Sequence, residues 1–131
     1  MPSPQAEQLK IRTKQFALRV LKVFLALPRR ADAQILGKQL VRSGTSVGAQ
    51  YREAVRSRSP AEFISKVESA QQELEETIYW IELIIEHNLL RPARLHQLMS
   101  EAGELQAILA SSARTAKKAR VVQQSAISNQ Q

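Results

Sequence analysis

The sequence predicts an all-α protein, folded as an antiparallel up-down-up-down four-helix bundle with left-handed packing. Apolar residues recur at alternating spacings of three and four along four long segments, as expected for amphipathic helices. Short links with proline separate these segments, which favours antiparallel neighbours. No stretch has the alternating polarity of a half-buried strand. The heptad spacing predicts that neighbouring helices cross at about 20°.

The first predicted helix covers residues 6–27 and has two apolar faces. One face follows the heptad pattern of a core, and Ile11, Leu18 and Leu25 lie almost opposite to it. Because a helix that is apolar on two faces must cover both, we expect the second face to contact another subunit. The alternative is that a neighbouring helix of the same chain covers these three side chains.

The second predicted helix covers residues 33–58, after Pro28 has ended the first, and has Asp32 as its N-cap. Gly44 and Gly48 lie one turn apart in its interior. Each interior glycine costs about 1 kcal/mol relative to alanine, so both must be compensated. We therefore expect tight packing at these glycines, where a neighbouring helix approaches closely.

The third predicted helix covers residues 60–88 and begins with a capping box formed by Ser59 and Glu62. Three large apolar side chains fall outside its core stripe: Tyr79, Trp80 and Leu83. Their apolar area predicts a second contact surface between subunits. The alternative is that Trp80 only flanks the edge of the core.

The fourth predicted helix covers residues 92–120 and begins at a proline. Residues 1–120 are therefore expected to form a single domain, which is long enough to bury one sizeable core. Residues 121–131 are rich in glutamine, serine and asparagine and have little apolar periodicity. This composition predicts a disordered tail.

The chain is strongly basic, with a net charge of +7. Outside residues 60–90, 18 basic residues stand against 5 acidic ones, which favours a polyanionic or acidic partner. The absence of cysteine excludes disulfides and thiolate zinc sites and favours a reducing compartment. No apolar run approaches the roughly 18 residues of a membrane span, and the first residues lack the apolar core of a signal peptide. We expect a cytoplasmic protein without membrane contact.

Basic residues form the candidate nucleic-acid-binding surface. They follow one stripe of the second helix, continue just beyond it and cluster again near the end of the fourth: Lys38, Arg42, Arg52, Arg56, Arg58, Arg114, Lys117, Lys118 and Arg120. Aromatic residues make up 5% of the chain and do not interleave with these charges, so base stacking is not expected. Binding should be directed to the phosphate backbone, salt-dependent and weakly sequence-specific.

Two other interpretations of the basic residues stay open. The arginines of the second helix could pair with glutamates of the third helix of an adjacent subunit. The basic face could instead recruit an acidic protein partner, which would make the protein an interaction scaffold without direct nucleic-acid contact.

The residues give no support to an enzyme. The only histidines, His87 and His96, lie at or across the link between the third and fourth segments, and no cysteine nucleophile is present. A di-iron bundle needs Glu-x-x-His on two helices, and no such spacing occurs. There is no phosphate-binding or dinucleotide-binding glycine motif. We expect no catalysis, no metal and no cofactor.

Three motifs carry a resemblance to a known family: LVRSGTSVGA at 40–49, YREA at 51–54 and ETIYWIEL at 76–83. With these motifs in order, the chain resembles the four-helix bundle proteins encoded in intervening sequences of bacterial 23S ribosomal RNA genes. The resemblance extends from about Ile11 to Lys118. One departure is Gln50, where the family usually has asparagine.

The resemblance implies a ring-like homopentamer of helical bundles. It also implies kinship with the accessory variability proteins of diversity-generating retroelements, which bind nucleic acid and a reverse transcriptase. The partners expected from the resemblance are therefore further copies of the chain, nucleic acid, RNA above all, and a protein such as a reverse transcriptase.

Overall fold

The computed structural model describes residues 3–129 and places them in four α-helices. The helices are α1 (Pro4–Ala26), α2 (Ala31–Val55), α3 (Pro60–Glu86) and α4 (Pro92–Asn129). No strand occurs among the described residues. The predicted all-α class and the number of helices are confirmed.

The starts of α1 and α3 follow from serine and proline. The hydroxyl of Ser3 accepts the backbone N–H of Ala6, and that of Ser59 accepts the N–H of Glu62, both at 3.1 Å. A proline follows each serine, where its missing N–H costs nothing. The second bond of the predicted capping box differs, because the carboxylate of Glu62 accepts the N–H of Arg58 instead of that of Ser59.

The start of α2 differs from the prediction. The cap position belongs to Arg30, which makes no side-chain capping bond, and Asp32 lies in the first turn. There the Asp32 carboxylate accepts the backbone N–H of Ala33 at 2.9 Å and a bidentate contact from Arg30. A negative charge in the first turn still complements the helix dipole, so Asp32 supports the helix start from inside it.

All four helices contribute to one apolar core. Its largest fully buried apolar side chains include Phe16, Val20, Leu40, Val47, Val67, Leu74, Ile81, Ile84, Leu95, Leu105 and Leu109. Burying each of these stabilises the fold by about 1.5–3 kcal/mol relative to exposure. One polar pair lies within this core, where the hydroxyl oxygens of Ser43 and Thr77 are 2.8 Å apart and link α2 to α3.

Three glycines of α2 face α1 at short distance. A β-carbon at Gly44 would lie 2.8 Å from a Val20 methyl group, and one at Gly48 would lie 3.1 Å from the Thr13 hydroxyl. The helix that packs closely against Gly44 and Gly48, as predicted, is therefore α1. Gly37, which sequence reasoning did not single out, is equally tight, at 2.7 Å from side-chain carbons of Phe24 and Leu27.

The last helix is longer than predicted. Residues 121–131 were expected to be a disordered tail, but α4 continues to Asn129, and residues 130–131 lie outside the described part. No glycine or proline interrupts the chain after Gly103, so the helix meets no breaker. The apolar periodicity stops because residues 117–129 are exposed on every side. Among the described residues, no helix is long and apolar enough to span a bilayer.

Candidate nucleic-acid interface

The basic stripe of α2 lies on its exposed face. Lys38, Arg52 and Arg56 are exposed, and none of them forms an ion pair with any of the described residues. Ala49, which lies between Arg42 and Arg52 in the sequence, is also exposed, and its side chain is only a methyl group. These three cations can therefore meet an external anion without first giving up a protein partner.

Arg42 differs from the rest of the stripe. Its guanidinium contacts Glu76 and lies 3.3 Å from the carboxylate of Glu73, both on α3 of the same chain. The sequence left open that helix-two arginines pair with glutamates of an adjacent subunit. For Arg42 the glutamates of its own chain take that role, which neutralises part of the stripe.

The second basic cluster lies on the distal half of α4. Arg114, Lys118 and Arg120 are exposed and form no ion pair within residues 3–129. Lys117 donates to the Glu68 carboxylate of α3 at 2.8 Å. This cluster thus keeps three unpaired cations.

The two basic clusters meet at one cavity, which the sequence did not predict. The cavity has a volume of about 400 Å³ and lies between the α2–α3 turn and α4. Arg58 from the turn and Arg120 from α4 both line it, and Phe63 from α3 supplies an aromatic wall. No aromatic residue alternates with these basic residues in the sequence, as expected. The fold nevertheless places Phe63 at the same cavity as Arg58 and Arg120.

A larger groove of about 740 Å³ separates the beginning of α1 from the distal half of α4. Its apolar walls include Leu9, Tyr51 and Ile108. Burial raises the pKa of the Tyr51 phenol, with a smaller contribution from Glu7, so this hydroxyl is neutral at physiological pH.

One ionic contact ties α1 to α4 beside this groove. Arg12 contacts Glu101 with two nitrogens, at 2.5 and 3.1 Å, and Glu104 at 2.7 Å. The hydrogen bonds from Arg12 hold the pKa of Glu101 below its usual range. Both acidic side chains are thereby engaged within the chain.

The second apolar face of α1 is not covered by any part of the chain within residues 3–129. Ile11, Leu18 and Leu25 are 57%, 51% and 80% exposed. The interpretation that another helix of the same chain covers them is therefore wrong. On α3, Tyr79 is 52% exposed, whereas Trp80 and Leu83 are partly buried, and the Tyr79 and Trp80 rings pack edge to face.

His87 pairs with an acidic side chain at the start of α2. The ring of His87 lies 2.9 Å from the carboxylate of Asp32, which Arg30 also contacts. Hydrogen bonds from Arg30 and then His87 hold the pKa of Asp32 well below its usual range. No group of three potential metal ligands occurs within residues 3–129.

Comparisons with known proteins agree with the motifs. The model of the 23S rRNA-intervening sequence protein family matches residues 7–111. A crystal structure of a protein of unknown function from the S23 ribosomal protein family of Bacteroides thetaiotaomicron has a TM-score of 0.78 and 31% identity. The match covers 83% of this chain and 97% of that one. None of the curated proteins matches the chain.

Proposed function

The chain belongs to the 23S rRNA-intervening sequence protein family, and from this premise we propose that it is a non-enzymatic homo-oligomer that binds nucleic acid, RNA above all, through its basic surface. The observation that carries the proposal is that seven cations of the candidate surface are exposed and have no carboxylate partner among the described residues: Lys38, Arg52, Arg56, Arg58, Arg114, Lys118 and Arg120. Unpaired arginines and lysines release the counterions of a phosphate backbone when they bind it.

The proposal includes an antiparallel up-down-up-down bundle with left-handed packing. Contacts between α1 and α2 support it, since Gly37 faces Leu27, Gly44 faces Val20 and Gly48 faces Thr13. Contacts between α2 and α3 are also antiparallel: Asp32 at the start of α2 pairs with His87 at the end of α3, and Glu53 near the end of α2 pairs with Lys66 near the start of α3. Residue numbers thus rise on one helix as they fall on the next.

We propose that the exposed face of α1 joins copies of the chain into a ring-like assembly, with a pentamer favoured by the family resemblance. Burying Ile11, Leu18 and Leu25 would remove a continuous apolar stripe from water. Tyr79 of α3 is the second exposed apolar group that a neighbouring copy could cover. The cytoplasm is the compartment that the absence of cysteine favours.

The proposal is tested by measuring the affinity of the nuclease-treated protein for a structured RNA and for duplex DNA at about 50 and 200 mM salt. We expect binding at the lower salt that weakens by at least about tenfold at the higher. Absence of binding at the lower salt would contradict the proposal.

An acidic protein partner is the alternative outcome. A pull-down with and without nuclease separates the two functions, because a protein partner such as a reverse transcriptase is retained after digestion if it binds directly. Loss of all partners on digestion supports nucleic-acid binding.

A further inference from the structure

We propose that the cavity lined by Arg58, Phe63 and Arg120 holds one unpaired nucleotide of the bound RNA, with its phosphate at the arginines and its base against the phenylalanine ring. This inference rests on the proposed function and assigns a specific site within it. It adds a stacked base to binding that the sequence predicts to be largely directed to the backbone.

The two arginines make the cavity a site for an anion. Arg58 belongs to the α2–α3 turn and Arg120 to α4, so the fold places two cations from distant parts of the sequence on one concave surface. Neither forms an ion pair with the described residues. A phosphate relieves their mutual repulsion and accepts bidentate hydrogen bonds from guanidinium groups.

The remaining walls suit a base. Phe63 is half-buried and lines the cavity with an aromatic side chain, and Ala116 on α4 supplies an apolar surface. Gln123, one of the exposed residues of α4, lines the same cavity and can donate to and accept from a base edge. The volume of about 400 Å³ is within the range of sites for small organic ligands, about 300–1,000 Å³.

Glu62 is the acidic residue whose side chain contacts this turn. The carboxylate of Glu62 accepts the backbone N–H of Arg58 at 3.3 Å, and Glu62 does not line the cavity. The hydroxyl of Ser59 is likewise engaged, because it accepts the N–H of Glu62. The guanidinium of Arg58 is therefore the charged group that this turn presents to a ligand.

The test compares two RNAs that differ by one nucleotide, a fully paired duplex and the same duplex with one bulged uridine. We expect the protein to bind the bulged RNA about tenfold more tightly, which is the scale of one base stacked on an aromatic ring. Phe63→Leu keeps an apolar side chain but removes the ring, so it should abolish this preference.

Arg58→Gln and Arg120→Gln should each weaken binding of the bulged RNA more than binding of the duplex. The control Arg91→Gln, which changes an exposed arginine of the α3–α4 link, should leave the preference for the bulge unchanged. Arg58 and Arg120 are exposed, so their variants should fold and can test the site even if Phe63→Leu does not fold.

Equal affinity for both RNAs, or a preference that persists in Phe63→Leu, would overturn the nucleotide site while the proposed function stands. Failure to bind either RNA would overturn both.

Discussion

The two methyl carbons of Val20 on α1 lie 2.8 and 2.9 Å from the point where Gly44 on α2 would carry a β-carbon. The Val20 β-carbon itself is at 3.2 Å, so rotating the side chain does not clear the space. The two helices therefore pack at a distance that only glycine permits at this position. The small-residue run in the middle of α2 is thus explained by its contact with α1.

Gly44→Ala should destabilise the protein. Overpacking costs about 1–3 kcal/mol, and alanine contributes roughly 1 kcal/mol to helix propensity. Because three Val20 atoms lie within 3.2 Å of the β-carbon position, we expect the overpacking cost to be the larger of the two. Thermal unfolding should show a lower melting temperature. Gly103→Ala is the matched control, because nothing lies within 4 Å of its β-carbon position, and it should raise the melting temperature. Equal responses of the two variants would contradict the packing account.

The Arg12–Glu101 contact should make stability depend on acid pH. The pKa of Glu101 is lower in the folded state than its ordinary value of 4.5, so the unfolded state binds more protons in that range. The stabilisation is present above pH about 4.5 and is lost as the pH falls through the lowered folded-state value. Glu101→Gln should reduce this loss in acid unfolding curves, and Glu82→Gln, an exposed glutamate, should not.

Arg42 and Arg52 should differ in their effect on nucleic-acid binding, although both belong to the predicted stripe. Arg42 is engaged by Glu73 and Glu76, whereas Arg52 has no such partner in the described structure. Arg52→Gln should reduce the slope of log affinity against log salt by about 0.9 for a duplex, and Arg42→Gln should reduce it by less. The reverse order would show that Arg42 leaves its glutamates to bind the ligand.

The exposed stripe of α1 should govern assembly. The double variant Leu18→Glu, Leu25→Glu should lower the mass in solution towards the 14.7 kDa of one chain and leave the helical circular dichroism unchanged. Ile35→Glu is the control, since Ile35 is an exposed apolar residue of α2 outside that stripe. Dissociation by Ile35→Glu alone would place the interface elsewhere.

Local signals in the sequence predicted most of the fold. Ser59 precedes a proline and caps α3 as predicted, and the spacing of three and four identified the buried faces. Gly44 predicted the close approach of a neighbouring helix, because the cost of a glycine in a helix interior had to be offset by packing. The end of α4 was missed because apolar periodicity marks burial, whereas residues 121–129 are helical without being buried.

The candidate site was less accessible to sequence reasoning. The stripe of α2 was identified, but its partial neutralisation depends on side chains of α3 that reach Arg42 across the helix pair. The cavity shared by Arg58, Phe63 and Arg120 depends on the packing of the distal half of α4, which has no apolar pattern to predict it. Only the three-dimensional arrangement places these residues together.

Light scattering of the nuclease-treated protein at about 50 mM salt, alone and mixed with a structured RNA, measures both assembly and RNA binding. We expect a protein mass several times 14.7 kDa and, with RNA, a heavier species that contains both protein and RNA. A single-chain mass that does not change when RNA is added would contradict the proposed function.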